Sequence, residues 1–215
     1  MKRLIVVGAI AITVAGAARA QSSVTLYGIV DTGVTYVSNQ GGSKNVKLDS
    51  GVIQASRFGM KGSEDLGDGL RTVFTLESGF DLSSGKLNNG GALFGRRAYV
   101  GLASSRYGTI TLGHDYDFIY DFVTNYANAS FASSYAFHLA YDVDRLAGEP
   151  VNNVVKYTSP FIGGFVAGAM YGFSNVAGSF AGTTGQPRVI SAGISYSPTG
   201  KVNTPFSFCG RLHQN

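Results

Sequence analysis

The chain has 215 residues, a formal net charge of +4, a single cysteine, no tryptophan, 30 glycines, 12 tyrosines and 14 phenylalanines. One cysteine excludes an internal disulfide. Three of the 17 basic residues (Lys2, Arg3 and Arg19) lie in the first twenty positions, so the balance beyond them falls from +4 to +1 and the electrostatic case for nucleic-acid binding goes with it. Abundant glycine and aromatics without sustained 3.6-residue periodicity argue for an all-β chain with many tight turns.

From the N-terminus, Lys2 and Arg3 precede an apolar run over residues 4–17, and Ala18-Arg19-Ala20 gives a small-x-small exit. This predicts a secretory signal peptide over residues 1–20, cleaved between Ala20 and Gln21, with a core too short for a transmembrane helix. Alternation and turn residues then predict strands at 24–37, 51–64, 69–82, 94–104, 107–115, 151–160, 163–174 and 187–198. The hairpin at 57–80 shows the pattern best. Phe58, Met60, Phe74 and Leu76 lie on one face, and Arg57, Lys61, Arg71 and Glu77 on the other.

Longer connections (38–50, 83–93, 116–150 and 175–186) alternate with short ones (65–68, 105–106 and 161–162). An up-and-down barrel in an outer membrane has this rhythm, with short turns on the periplasmic side. In hydrocarbon every backbone N–H and C=O must be paired, so strands that cross a bilayer must close on one another. Eight strands close around an interior that side chains fill. The inward charges and a loop of some 35 residues at 116–150 suit a wider, water-filled barrel.

Five segments, SSVTLYGIVDTGVTY (22–36), SRFGMKGSEDLGDGL (56–70), FTLESGF (74–80), RRAYVGLAS (96–104) and YGTITLGHDYD (107–117), resemble the general diffusion porins of Gram-negative bacteria. VNNVVKYTSP (151–160) and VISAGISYSP (189–198) continue the likeness, which is closest to the neisserial and burkholderia-type branch. The resemblance implies an antiparallel transmembrane β-barrel of the sixteen-stranded porin type, of which about the first eight strands are present. It further implies a homotrimer for the full-length protein, insertion by the outer-membrane assembly machinery, contact with outer-membrane lipid and lipopolysaccharide, and passage of small hydrophilic solutes and ions. By the same resemblance Arg57, Lys61 and Arg96 stand on the pore wall, with Arg145 as a looser match, and Arg71 joins them as a wall candidate through its place on the inward face by alternation. Alternation alone equally allows Arg97, because Ala98, Val100 and Leu102 read as a lipid face that would carry Arg96. Asp115, Asp117 and Asp121 are the acids expected at the start of an inserted constriction loop.

The chain departs from the family where His114 replaces a common arginine and where NANASFASS (125–134) replaces an acidic loop tip. Fewer acids there predict weak or anion-leaning selectivity. Asp142, Asp144 and Glu149 lack the remaining positions of a calcium loop. His114 and His138 lack metal-ligand spacing, and no nucleophile elbow, zinc-protease or phosphate-loop motif occurs. No cofactor, metal site or enzymatic activity is therefore expected. Alternation is read as failing after Gly200, so residues 21–198 are expected to form the N-terminal half of the barrel and 199–215 a tail unlike a porin strand, left by truncation or frameshift. A small eight-stranded outer-membrane barrel with a structural or adhesion role, or a secreted soluble β-domain, remains the alternative.

Overall fold

Period-two alternation becomes one continuous antiparallel sheet whose two faces differ in chemistry. The structure is a computed structural model that describes residues 23–123, 150–173, 188–197 and 206–214. Its strands are β1 (Ser23–Ile29), β2 (Thr32–Gln40), β3 (Ser43–Ser50), β4 (Arg57–Gly67), β5 (Leu70–Gly79), β6 (Arg97–Ser104), β7 (Gly108–Tyr116), β8 (Pro150–Thr158), β9 (Phe165–Gly172), β10 (Arg188–Tyr196) and β11 (Phe206–Gln214). One short helix, α1 (Phe118–Phe122), follows β7. The main sheet has nine strands in the order β1-β4-β5-β6-β7-β8-β9-β10-β11, and β2 pairs with β3 as a separate hairpin. Chain neighbours are sheet neighbours throughout, apart from that excursion, as in an up-and-down barrel.

Register explains the outer face. Val24, Gly62, Phe74, Val100, Leu112, Val155, Tyr171, Ile190 and Leu212 stand at successive paired positions, one from each strand of the main sheet. Each is apolar or glycine, and Leu26 (74 % exposed), Val100 (56 %) and Leu112 (51 %) lie bare on this side. Such a surface is costly in water and matched to hydrocarbon. Residues one step away point to the concave face, where Lys61, Thr75, Glu77, Tyr99, Arg97 and Thr111 gather.

Four expectations are corrected. The segment read as one strand over 24–37 is two, because at Val30–Asp31 the chain exchanges β4 for β3 as its partner. The segment read as a loop over 38–50 holds β3. There Val46 and Leu48 alternate with Lys47 and Asp49, and Gly41 and Gly42 take the positive φ (62° and 90°) of a tight hairpin turn. Residues 51–56, read as the start of a strand, form a loop. The tail carries β11, paired with β10 from Phe206↔Tyr196 to Gln214↔Arg188, so the main sheet has one strand beyond the eight expected. Phe206, Phe208 and Leu212 do alternate with Ser207, Cys209 and Arg211, and the edge of β10 supplies the unpaired backbone that such a segment satisfies. The eight-stranded closed barrel is not formed: β1 and β11 are the two edges of the described sheet.

The concave face is not polar throughout. Beyond β7 the chain turns inward, and α1 buries Phe118 and Phe122 against Val151, Val154, Val166, Met170 and Val189 on β8, β9 and β10. Asp117 caps this helix by accepting from the Tyr120 N–H at 3.2 Å. Ser191 Oγ accepts from the Phe118 N–H at 3.2 Å. The start of the long loop is thus seated on the inner wall by an apolar cluster.

The loop before β4 is held by Asp31. Its carboxylate accepts the N–H groups of Val52 (2.8 Å), Ile53 (3.1 Å) and Gln54 (3.0 Å). These bonds, that of Gln54 foremost, hold the carboxyl below the usual carboxylate range, with burial opposing them. A folded value below the unfolded one (about 3.9) means that the latch stabilises at neutral pH and is lost as pH falls through the lowered folded value. Amide exchange at residues 52–54, corrected for intrinsic rates, should therefore stay protected through the usual carboxylate range and rise only as pH falls below it, through the lowered folded value. Asp31→Asn should expose the same amides already at pH 7. On the outer face, Leu112→Arg should destabilise the membrane-inserted protein by about 2–4 kcal/mol in urea unfolding.

Candidate functional site

The concave face carries its charges in a cross-strand belt. Tyr27, Gly59, Glu77 and Arg97 stand at successive paired positions on β1, β4, β5 and β6. Gly59 lets this row close. Tyr27 Oη reaches across β4 to donate to Glu77 Oε2 at 2.7 Å, and a Cβ at position 59 would lie 2.9 Å from the Tyr27 ring and 2.7 Å from the Leu76 carbonyl oxygen. Arg96 Nε donates to the other carboxylate oxygen of Glu77 at 2.6 Å.

Next along the belt, Arg97 pairs with Asp115 (2.7 Å) and Asp121 (3.2 Å). Lys156 on β8 meets the same two acids at 3.0 and 2.5 Å, and donates to the Tyr116 carbonyl oxygen at 2.7 Å. Tyr116 and Tyr120 stack at 4.0 Å, and the Arg97 guanidinium lies 5.3 and 5.2 Å from their ring centroids. Asp115 and Lys156 are almost fully buried (3 % and 4 % exposed), so their mutual pairing is what makes burial of either charge tolerable. The network ties α1 and the first turn of the loop to the wall through Asp121.

Arg96 and Arg97 both reach the belt, for different reasons. Arg97 opens β6 and faces inward by alternation, opposite Glu77. Arg96 precedes the strand, is free of its period, and turns to Glu77 and the Tyr116 ring. The start expected for this strand, at residue 94, is therefore three residues early.

The remaining wall cations lie outside the belt's ion pairs. Arg57 donates to the Ala55 carbonyl oxygen (3.1 Å) and to Gln54 Oε1 (2.9 Å). Lys61 Nζ sits 5.4 Å from the centroid of the Tyr27 ring. Lys61 and Arg71 are exposed and line one concavity on the inner face. Among the described residues none of these three cations forms an ion pair. Asp117, expected as a loop acid, is 1 % exposed and spent on capping α1. His114 bridges Asn152 (2.6 Å) and the Gly95 carbonyl oxygen (3.0 Å) as a strut between β7, β8 and the approach to β6. Ala20, Gln21, His138, Asp142, Asp144, Arg145, Glu149 and the segment 125–134 lie outside the described residues. Among those described, no group of three or more His, Cys, Asp or Glu is arranged to hold a metal.

An up-and-down sheet with an apolar outer face, a loop start seated on the inner face and a charged inner belt agrees with the family that the sequence matches. The profile described as Gram-negative porin covers residues 7–208. The chain belongs to the Gram-negative porin family. An outer membrane porin of Bordetella pertussis is 34 % identical over 97 % of this chain and 59 % of its own length. Outer membrane porin protein 32 of Delftia acidovorans is 36 % identical over 80 % of this chain and 50 % of its own. Among solved structures, the anion-selective porin from Comamonas acidovorans superposes with a TM-score of 0.65 at 31 % identity, over 82 % of this chain and 54 % of that one. This porin chain thus spans about half the length of the curated relatives it matches, and family and relatives place it in the outer membrane of a Gram-negative bacterium. The soluble β-domain is set aside on the same finding.

The belt can be tested by removing its buried acid. Asp115→Ala leaves Arg97 and Lys156 to share Asp121 alone, and losing a buried partner of this kind costs about 3–5 kcal/mol. Limited chymotrypsin digestion should then cut the porin at Tyr116, Phe118 or Tyr120 much faster than in the parent. Asp121→Ala, at a half-buried position, should have the smaller effect.

Proposed function

We propose that this porin chain contributes the wall and the constriction of a water-filled channel, through which small hydrophilic solutes and ions diffuse passively with a preference for anions. The carrying observation is the uneven neutralisation of the inner wall. Arg96, Arg97 and Lys156 are matched by Glu77, Asp115 and Asp121, whereas Arg57, Lys61 and Arg71 form no ion pair among the described residues. Uncompensated charge of one sign in a narrow, low-dielectric passage concentrates counter-ions and raises their flux. The seating of α1 on the wall supports an inserted loop as the narrowing element. The Comamonas acidovorans relative is an anion-selective porin, which agrees in sign. In this reading Arg57, Lys61, Arg71, Arg96 and Arg97 are wall residues, and Asp115 and Asp121 anchor the loop opposite them. The protein acts as a conduit and carries out no catalysis. Assembly as a homotrimer, delivered by the outer-membrane assembly machinery and set among lipid and lipopolysaccharide, belongs to the same reading of the complete barrel.

Reversal potentials across planar bilayers, with salt unequal on the two sides, test the proposal. Channels carrying this wall should favour chloride over potassium, and the triple substitution Arg57→Gln, Lys61→Gln, Arg71→Gln should shift the reversal potential toward zero or reverse its sign. A clear cation preference in the parent channel would sink the proposal.

A further inference from the structure

The rows next to the belt, on the side of the β4–β5 turn, enclose a cavity of about 420 Å³ open to the lumen, within the usual size of small-molecule sites. Lys61 of β4 and Arg71 of β5 line it together with Thr75, Tyr99 and Thr111, and its lining contains no acidic residue. The hydrogen bonding there leaves donors unused. Thr75 Oγ1 donates to Tyr99 Oη at 3.0 Å, so the Tyr99 hydroxyl proton remains available to a ligand. Neither Lys61 nor Arg71 is in an ion pair among the described residues. Asp65 stands opposite Arg71 in register, but its carboxylate closes the turn by accepting from the Gly67 N–H at 2.9 Å. The β4–β5 connection is one of the short turns, which in outer-membrane barrels lie on the periplasmic side.

We propose that this cavity is a discrete binding site for phosphate-type oxyanions, on the periplasmic side of the charged belt. The site depends on the porin reading for the direction of the wall, and goes beyond it in having saturable occupancy rather than a diffuse positive field. A planar guanidinium offers a two-donor fork suited to a phosphate edge, Lys61 supplies a mobile point charge, and the Tyr99 hydroxyl adds a third kind of donor. Lys61 and Thr75 are paired neighbours, whereas Arg71 lies four residues further along β5, roughly 13 Å at strand rise. Two long cationic side chains that line one cavity from that separation suit a ligand with more than one anionic oxygen better than chloride.

The test is equilibrium dialysis of inorganic phosphate and of pyrophosphate against the detergent-refolded full chain at low ionic strength, with sheet content checked by circular dichroism. Saturable binding is expected, weakened about tenfold by Lys61→Gln and by Arg71→Gln, loss of a charge-assisted contact being worth at least that much. Tyr99→Phe and Arg71→Lys should each weaken it less, and Lys86→Gln, in an exposed loop, should leave it unchanged. Lys61 and Arg71 are exposed, so their truncation spares the sheet; Arg71→Lys keeps the charge and reads the fork alone. Absence of saturable binding in the parent chain, or equal binding by the parent and both glutamine variants, overturns the site. The assay needs no bilayer. Binding without conductance would therefore count against the channel and not the site, and anion-selective conductance without binding against the site and not the channel.

Discussion

An unpaired backbone polar group in hydrocarbon costs several kcal/mol, and that penalty governs the rest of this structure. It forces neighbouring segments into continuous antiparallel register, and register in turn fixes which side chain meets which solvent. Once Leu112 is committed to lipid, Thr111 and Gly113 are committed to the lumen. The same pairing carries across the sheet, so rows of side chains from distant parts of the chain become neighbours. The charged belt is one such row: Tyr27, Gly59, Glu77 and Arg97 come from four strands spread over 71 residues of sequence, yet stand side by side.

Within the concave face, burial and charge are arranged as a graded surface. At β8 to β10 the wall is apolar and covered by α1, as a soluble core would be. At the belt it is ionic and internally compensated, with Asp115 and Lys156 buried because each meets the other. Toward the β4–β5 turn it is open, basic and rich in hydroxyls. The three zones differ in what they hold: the first seats the start of the loop, the second locks it, and the third leaves Lys61 and Arg71 without an ion pair among the described residues. The lock depends on carboxylates from both the strand (Asp115) and the helix (Asp121), so wall and loop cannot separate without stranding two cations.

Much of this was legible in the residues, and the limits have physical causes. The hairpin at 57–80 declared its two faces, and Arg57, Lys61, Arg71 and Glu77 lie on the predicted side. Arg96 and Arg97 could not be separated by alternation, because alternation applies only inside a strand and the strand begins between them. Lys156 stands out less than the hairpin cations, although a lysine two residues from Val154 and from Thr158 in VNNVVKYTS carries the signal of an inward charge. Its importance comes from meeting Asp115 and Asp121, and sequence spacing does not encode that meeting. Tyr27 was hidden for a similar reason: its partner Glu77 is 50 residues away, and the space between them is made by a glycine on a third segment. β3 was obscured by polar composition, and β11 by Pro205, Cys209 and a polar end that distracted from the period of two.

Strand β11 also sets a parity rule. In a sheet where every adjacent pair is antiparallel, the direction of the chain reverses at each step, so the first and ninth strands point the same way. The two free edges of this sheet, on β1 and β11, therefore cannot be joined to each other antiparallel, however far the sheet curls. An intervening wall that pairs antiparallel with both must contain an odd number of strands, which makes the closed total even, as in bacterial single-chain outer-membrane barrels.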